Sequence, residues 1–400
     1  MLKFNIDKTD CMGCAACYSV CPIHCISMIP DEEGFLYPIA SDACINCKLC
    51  EKVCPIKNPI KETSYIQTAY AAVAKDYTIW KRSASGGAFS EIIRHWADEE
   101  TLIVGAAWDG FRVHHIGVLG FENISPLCKS KYVSSAIEDT FIDIQKHLCS
   151  GKKAVFSGCP CQVDGLRHFL VKDYENLLTI DLICHGQGSP LVFLECLKVI
   201  GEQLGEEVIS YEFRTKRKII EEDYLSKITT KSKSYYIAKD PYLQLFLSQD
   251  ILRPACGDNC RYRDACRPGD LTIADCRGLT TIFPDLRGCK RNYSTIVCNT
   301  EKGKTVVDNL YKTMIIRKYS LEDVIKYNPL FATQTLASKD RESFFNDFIN
   351  KPHDTILEKT KLLVERRINI KTLIKTYIPD FLLRFINRMI RREYSNIVLK

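Results

Sequence analysis

The sequence CMGCAACYSVCP at residues 11–22 decides how the first part of this chain folds, and CINCKLCEKVCP at residues 44–55 repeats its pattern. Both runs read C-x2-C-x2-C-x3-C-P, which is the spacing with which thiolates surround a [4Fe–4S] cube. In two-cluster ferredoxins the last cysteine of each run ligates the other cluster. The pattern therefore predicts one cluster on Cys11, Cys14, Cys17 and Cys54, and a second on Cys44, Cys47, Cys50 and Cys21.

The alternative for these cysteines is a pair of structural zinc sites. Structural zinc usually takes paired ligands separated by a longer loop, so the spacing favours clusters over zinc. Cys25 lies outside both runs, and we interpret it as a small buried residue. Residues 1–60 are too few to fold on an apolar core alone, so the clusters should supply much of the stability of this module.

Length and composition bound the rest of the chain. Its 400 residues, 46% of them hydrophobic, suffice for this small module and a larger domain. No apolar signal segment follows Met1, and no run of about eighteen apolar residues suggests a membrane span, so we expect a cytoplasmic protein. In a reducing compartment, 21 cysteines indicate metal ligation rather than disulfides.

Positive charge is concentrated near the end of the sequence. The net charge is +6, and residues 351–400 contain twelve Lys or Arg against five Asp or Glu. The remainder has no broad basic face, so we expect no nucleic-acid partner. A basic amphipathic helix is predicted at residues 379–392, with these arginines at helical spacing: Arg384, Arg388, Arg391 and Arg392. It either makes a peripheral contact with the inner membrane surface, docks on a partner, or packs on the core.

From about residue 65, apolar strands alternate with amphipathic helices. Strands are predicted at Ala69–Ala74, Leu102–Ala107, Ala154–Ser157 and Leu177–Ile183. Helices are predicted at Gly87–Asp98, Ile137–Leu148, Cys161–Leu170 and Leu191–Leu204. This alternation indicates an α/β domain with a largely parallel or mixed sheet. In such sheets, ligands gather in the loops beyond the carboxyl ends of the strands.

Two polar loops of this region suit a nucleotide. Ser83–Phe89 is a Ser/Gly turn that opens a helix, and it fits either a phosphate or a simple helix cap in which glycine gives clearance. Cys128–Ser135 offers two lysines, several hydroxyl groups and a tyrosine. That composition fits a dinucleotide or, alternatively, a solvated turn.

Two further stretches carry cysteines. Residues 157–162 and 181–186 end neighbouring strands, which would bring Cys161 and Cys184 to the same edge of the sheet. Residues 253–262 carry Cys256 and Cys260. On spacing alone, these four are either a third cluster site or spare buried cysteines.

Taken together, these stretches resemble the beta-subunit family of coenzyme F420 hydrogenases and dehydrogenases. The resemblance covers roughly residues 1–320. It rests on the order and spacing of SGGAFS at 85–90, KSKYVSS at 129–135, GCPCQVDGL at 158–166, DLICHG at 181–186, RPACGDNCRY at 253–262, DLTIAD at 270–275 and YSTIVCNTEKGK at 293–304. It implies an iron–sulfur flavoprotein that binds FAD, exchanges hydride with the deazaflavin F420 and passes single electrons through [4Fe–4S] clusters. F420 or another small hydride donor or acceptor is thus the candidate substrate, and a one-electron redox protein or a sibling subunit is the expected partner.

The resemblance also implies which residues form the sites. Around the flavin it puts Ser85, Gly86, Gly87, Lys129, Ser130, Lys131 and Tyr132. On a third [4Fe–4S] cluster close to the flavin it puts Cys161, Cys184, Cys256 and Cys260. His185 is expected to orient its loop or the flavin edge. Catalytic residues stay unassigned, because hydride transfer is chemistry that the cofactor supplies.

The chain departs from the family pattern near the third cluster. The usual C-x2-C pair is C-x3-C here, and Cys266 is a further candidate ligand. The usual Gly-Asp-aromatic-Trp-Gly is replaced by Ala-Asp-Cys-Arg-Gly at residues 274–278, which adds Cys276 as a candidate and predicts altered stacking at the flavin or a different electron partner. Cys159 is also unusual, and is either a spare ligand or a small residue.

The expected architecture is an α+β ferredoxin-like iron–sulfur module at residues 1–60, an α/β flavin-binding domain at residues 65–320, and a helical basic region at residues 321–400. The expected function is that of an oxidoreductase joining a hydride donor or acceptor to a one-electron partner. A non-catalytic electron-relay or assembly subunit is the alternative suggested by the change at Cys276. A zinc-scaffolded interaction protein is the third interpretation.

Overall fold

The computed structural model describes residues 6–59, 67–216, 225–238, 240–257, 260–333 and 338–360. The basic helix predicted at residues 379–392 lies outside these ranges. Within them, no helix combines the length and the apolar character needed to cross a membrane.

The cysteine-rich beginning of the chain folds as two short helices and a hairpin. Helix α1 spans Ala16–Ser19 and α2 spans Leu49–Lys52, and strand β1, Ile26–Pro30, pairs antiparallel with β2, Leu36–Ala40. Ala15 and Lys48 hold equivalent positions in the two cysteine runs, and both adopt the left-handed conformation with φ 62°. The two runs therefore repeat in backbone conformation as well as in sequence.

A large mixed sheet forms the centre of the described chain. Its strands are β3 Thr68–Ala74, β4 Leu102–Asp109, β5 Arg112–Leu119, β6 Ala154–Gly158, β7 Leu177–Leu182, β11 Leu271–Asp275, β12 Ser294–Cys298 and β13 Met314–Tyr319. They lie in the order β13-β3-β12-β11-β7-β6-β4-β5. Strands β4, β6, β7 and β11 are parallel to their neighbours within this group, whereas the outer pairs are antiparallel. The sheet is therefore mixed, one of the two arrangements that the sequence predicted.

Helices flank the large sheet, and four of those in the described chain lie at or near predicted positions. The helices are α3 Tyr77–Arg82, α4 Ala88–Trp96, α5 Thr140–Cys149, α6 Pro160–Leu170, α7 Pro190–Leu204, α8 Pro241–Ser248, α9 Leu279–Ile282, α10 Glu301–Leu310, α11 Leu321–Tyr327, α12 Arg341–Asn350 and α13 Pro352–Lys359. Each of the four helices predicted from the apolar periodicity corresponds to one of these, with ends that differ by no more than three residues. The strong periodicity is the reason for this agreement.

Side chains alternate between two cores on either face of the sheet. Ile103 and Val155 belong to the core that contains Ile92 of α4 and Val307 of α10. Their neighbours Val104 and Phe156 belong to the core that contains residues of α5 and α6. This alternation follows from the two-residue period of a strand, and it means that both faces of the sheet are buried.

The remaining described strands form a small antiparallel sheet beside α7. They are β8 Val208–Glu212, β9 Leu225–Thr230 and β10 Ser234–Ala238, in the order β10-β9-β8. Helices α7, α8, α12 and α13 and the hairpin residue Phe35 contribute to the same apolar core. Arg341 of α12 also forms an ion pair with Glu33 in the hairpin turn. The hairpin is therefore packed on the larger part of the chain.

Candidate functional site

The first predicted cluster site is a cavity between the N-terminal module and α6. Its walls include the four cysteines of the first predicted set, Cys11, Cys14, Cys17 and Cys54, which the fold thus brings together across forty-three positions of sequence. The other walls are mostly apolar, and burial raises the pKa of the Cys14 thiol to about 12. Buried thiols of this kind become thiolates when a metal supplies positive charge, so the donor set fits an iron–sulfur cluster.

The second predicted site lies beside the first and reaches the surface. Its cavity is lined by the second predicted set, Cys21, Cys44, Cys47 and Cys50, and also by Cys25. Cys25 is buried as predicted, but it is not remote from the cluster site, since its Sγ lies 3.4 Å from Sγ of Cys21. Cys47 is exposed. The second site therefore contains the exposed cysteine among the eight predicted ligands of the module.

A third group of cysteines forms where β6 and β7 end. These strands are parallel neighbours, so Cys161 in the first turn of α6 and Cys184 after β7 meet at one edge of the sheet. Cys256 is buried near them, and burial raises the pKa of its thiol to about 12, with the nearby thiols of Cys184 and Cys260 adding to the rise. The structure therefore brings together the four cysteines that the family resemblance implied.

Three other cysteines of this region differ in position. The Sγ atoms of Cys159 and Cys184 are 3.6 Å apart, so Cys159 belongs to the third group as a fifth thiol. Cys276 instead packs with Trp80 and Tyr293 in a separate core. Cys266 is half-buried, and its backbone N–H donates to the Asp264 carboxylate at 3.0 Å. Cys256 and Cys260 therefore accompany Cys161, whereas Cys276 does not.

The start of α6 is fixed by its own sequence. Pro160 occupies the first turn, and the backbone N–H of Cys159 donates to Oε1 of Gln162 at 2.9 Å, which closes a capping box. The other end of the Gln162 amide donates to Oγ of Ser135 at 3.0 Å. The cap therefore holds Cys161 in place and ties it to the loop at 128–135.

A pocket of about 570 Å³ lies against this third group, within the range typical of cofactor and ligand sites. Its walls include six of the seven residues implied to surround the flavin: Ser85, Gly87, Lys129, Ser130, Lys131 and Tyr132. Cys159, Cys184, His185 and Gln187 form another part of the wall. The two polar loops predicted for a nucleotide and the cysteine group thus face one cavity.

Gly86, the seventh of these residues, serves a different purpose. Its N–H donates to Oγ of Ser294 at 2.9 Å, and an added β-carbon would lie 2.3 Å from the backbone oxygen of Ala72. The glycine is needed for close packing against β3 and β12. This position supports the interpretation of the Ser/Gly turn as a helix cap in which glycine gives clearance.

The lysines and tyrosine of the second loop are bound to other protein groups. Lys129 pairs with Glu212 at 2.7 Å, and Nζ of Lys131 donates to the backbone oxygens of Pro126 and Cys128 at 2.9 and 2.7 Å. Burial lowers the pKa of Lys131 to about 8. The Tyr132 ring stacks on Phe246, with centroids 5.0 Å apart. These contacts shape the pocket wall.

Arg214 and Asp275 are pocket residues that the sequence interpretation missed. Nη1 of Arg214 donates to Asp275 at 2.7 Å and to the Tyr132 hydroxyl at 3.2 Å, and Nη2 donates to the backbone oxygen of Ala84 at 3.3 Å. Although burial opposes it, the guanidinium holds the pKa of Asp275 below its ordinary value. The DLTIAD motif could have indicated Asp275, but no local signal marks Arg214.

Two buried histidines border the pocket. Burial lowers the pKa of His115 to about 4, and its ring stacks on Phe156 with centroids 5.3 Å apart. Burial also lowers the pKa of His185, whose Nε2 lies 3.0 Å from the backbone oxygen of Phe246. His185 therefore anchors the loop after β7, as a positioning role requires.

The N-terminal module packs on one face of α6. A β-carbon added at Gly165 would lie 2.7 Å from Cβ and 3.0 Å from Sγ of Cys14. One turn later, Nε2 of His168 is 2.7 Å from the backbone oxygen of Asn58. Cys161 itself lines the first cavity together with Cys14. The first and third cysteine groups are thus in direct packing contact.

Arg253 joins the third group to the module from the loop before Cys256. It is 1% exposed, and it donates to the backbone oxygens of Cys11 and Leu36, each at 2.8 Å. Its guanidinium lies 4.2 Å from the centroid of the Tyr37 ring. Its charge also opposes the rise that burial causes in the pKa of Cys256. A cation is therefore buried between two groups of thiols.

Two parts of the chain match known protein families. Residues 151–323 match the family described as the C terminus of the coenzyme F420 hydrogenase/dehydrogenase beta subunit, and residues 10–58 match the 4Fe-4S dicluster domain. No curated protein matches the chain. Among solved structures, a similar chain comes from the xenon-derivatised F420-reducing [NiFe] hydrogenase complex of Methanosarcina barkeri, with 14% identity, a TM-score of 0.43, and coverage of 75% of this chain and 93% of that one.

The family resemblance drawn from the motifs is therefore confirmed by the two family models. One part of the chain is thus similar to a 4Fe-4S dicluster domain, and another part to the C terminus of the beta subunit of coenzyme F420 hydrogenases and dehydrogenases, a family of oxidoreductases.

Proposed function

We propose that this protein uses FAD and three [4Fe–4S] clusters to move electrons between a small hydride donor or acceptor and a one-electron partner. One observation carries the proposal: the third cysteine group borders both neighbouring sites. Cys184 lines the large pocket, and Cys161 lines the first cavity. A cofactor in the pocket would therefore lie next to the third cluster, and that cluster next to the first.

FAD would occupy the large pocket and supply the conversion between hydride chemistry and single-electron transfer. The Ser/Gly turn and the loop at 128–135 would bind it through hydroxyl groups and backbone amides. The pair formed by Arg214 and Asp275 would hold these two loops at a fixed distance from each other, since Arg214 contacts Ala84 in one and Tyr132 in the other.

The clusters would use the three cysteine groups described above. The third would be held by Cys161, Cys184, Cys256 and Cys260, and not by Cys266 or Cys276. The first set contains no exposed cysteine, whereas the second contains the exposed Cys47. Electrons would therefore pass from the pocket through the third, first and second clusters, in either direction, and the partner protein or sibling subunit would bind near Cys47.

F420 is one candidate for the hydride donor or acceptor. Its acidic tail requires basic partners, and Lys129 and Arg277 line the pocket. A different hydride carrier would contact the same residues of the pocket. The choice is tested by mixing the anaerobic protein with F420 or with a nicotinamide cofactor and following the flavin absorbance.

An electron-relay or assembly subunit without flavin is the second candidate. The pairing of Lys129 with Glu212 and of Lys131 with backbone oxygens favours it, because both ammonium groups already have partners within the protein. This candidate requires clusters but no flavin. The two candidates therefore differ in the flavin content of the purified protein.

The deciding experiment is to measure iron, sulfide and flavin after anaerobic purification. The proposal predicts about twelve irons per chain, four for each cluster, together with one FAD. Clusters without flavin would support the relay candidate instead. Zinc without acid-labile sulfide would refute both.

Variants of single cysteines test the individual sites. Cys256→Ala should reduce the iron content to about eight per chain, whereas its matched control Cys266→Ala should keep about twelve. Cys14→Ser should slow electron delivery to an external acceptor but leave FAD bound. Loss of FAD from Cys14→Ser would mean that the module is structurally necessary for the pocket.

A further inference from the structure

Gln187 is a buried polar residue at the junction of the three sites. It lies in the loop between β7 and α7 and is 6% exposed. Its Nε2 is 3.4 Å from Sγ of Cys161 and 3.0 Å from the backbone oxygen of Met12. Its backbone N–H points at Sγ of Cys256 at 3.3 Å. One residue therefore contacts two thiols of the third group and the loop of the first.

The side-chain amide of Gln187 is held in one orientation. Its Oε1 accepts a hydrogen bond from Oγ of Ser134 at 2.9 Å. If the amide were reversed, Oε1 would face a sulfur and a carbonyl oxygen, both of which are acceptors, and Nε2 would face the hydroxyl. The contacts thus select the orientation in which N–H groups point at Cys161 and Met12.

We propose that Gln187 raises the reduction potential of the third cluster and makes it the step between the pocket and the first cluster. The proposal rests on the proposed function, which supplies the cluster. Reduction adds a negative charge to a cluster, and N–H dipoles aimed at its sulfur atoms stabilise that charge. The effect is strong where the donor is buried, and Gln187 is only 6% exposed.

The geometry also gives Gln187 a part in the path of the electron. The residue bridges Cys161 and the backbone of Met12, which lies between Cys11 and Gly13 in the first cluster loop. The backbone nitrogen of Arg253 in turn donates to the backbone oxygen of Gln187 at 2.8 Å. Gln187 is accordingly a positioning residue: it acts on the clusters through their ligands.

The test is a redox titration of the anaerobic holoprotein, followed by electron paramagnetic resonance. The signal of the third cluster is identified as the one that disappears in Cys256→Ala. In Gln187→Leu the third cluster should become about tenfold harder to reduce, which corresponds to a shift of about −59 mV for one electron. The other two clusters should keep their potentials. Gln187→Glu should shift the third cluster further in the same direction, because it replaces a donor by a negative charge.

The matched control is Gln67→Leu. The Gln67 amide also makes two hydrogen bonds, to Ala265 and Asn299, but neither acceptor is a sulfur. A shift confined to the Gln187 variants supports the proposal. Unchanged potentials in those variants, or an equal shift in Gln67→Leu, would overturn it.

Iron content separates this proposal from the function on which it rests. A wild-type protein with about eight irons, and with no signal dependent on Cys256, would refute the third cluster and the role of Gln187 together. About twelve irons with unmoved potentials would refute only the role of Gln187. If Gln187→Leu fails to assemble the cluster, Gln187→Glu keeps the side-chain shape and decides the question. Loss of the cluster from both variants would show a role in assembly in place of tuning.

Discussion

Gly165→Ala should disturb the first cluster from outside the cysteine runs. Gly165 lies within α6, and its new β-carbon would be 2.7 Å from Cβ of Cys14, about 0.7 Å short of the 3.4 Å at which ordinary contact begins. Overpacking of a buried contact costs about 1–3 kcal/mol. Alanine recovers about 1 kcal/mol through its helix propensity. We therefore expect a net loss of about 0–2 kcal/mol in the free energy of unfolding, together with displacement of Cys14.

The assay combines denaturant unfolding with iron content under anaerobic conditions. Because the strain falls on a ligand, the loss of iron should exceed what the small change in stability explains. Gly201→Ala is a suitable control, since Gly201 is also in a helix and its new β-carbon would meet only backbone atoms, the nearest 3.1 Å away. Full iron content and an unchanged cluster spectrum in Gly165→Ala would refute the close packing of α6 on the first cluster loop.

Three further predictions follow from buried or exposed groups. Arg267→Met leaves the buried Asp181 carboxylate without its ion-pair partner, 2.8 Å away, and should cost about 3–5 kcal/mol in denaturant unfolding; a loss below about 1 kcal/mol would contradict it. Burial lowers the pKa of Lys131 from 10.5 to about 8. Between these two pH values Lys131 is protonated in the unfolded chain but neutral in the folded protein, so the free energy of unfolding should rise with pH. In Lys131→Met this rise of the unfolding free energy with pH should be lost. The same pH profile in the variant and the wild-type protein would contradict the prediction. Cys47 is exposed whereas Cys256 is buried, so an aqueous chelator should remove about four irons while the signal lost in Cys256→Ala persists; simultaneous loss would contradict it.

The sequence predicted the elements whose signals are local and repeated. The cysteine runs are such a signal, and Cys54 lines the first cavity together with Cys11, Cys14 and Cys17, as the exchange of the last cysteine between the runs predicts. Four strands and four helices between residues 69 and 204 were likewise predictable, since each is a strong apolar run or an amphipathic pattern. Strand β5 and helix α3, in the same range, were not predicted. The parallel pairing of β6 and β7 then placed Cys161 beside Cys184.

Other features depend on contacts between distant parts of the chain. The antiparallel pairing of β12 and β13 with β3 joins residues more than two hundred positions apart, and strand periodicity does not encode that choice. Arg214 forms a hydrogen bond with Asp275, which is sixty-one positions away, and Gln187 forms one with Met12, which is one hundred and seventy-five positions away. Polar residues of this kind have no pattern of their own, because their role comes entirely from the fold around them.

The face of α6 that receives the N-terminal module has a consequence for how the protein unfolds. Ala15, Ala16 and Val53 of the module share one apolar core with Val163 and Leu166 of α6. The module therefore cannot open as a separate cooperative unit without exposing part of the main core. We therefore expect loss of a cluster from the module to lower the stability of the main core as well as that of the module.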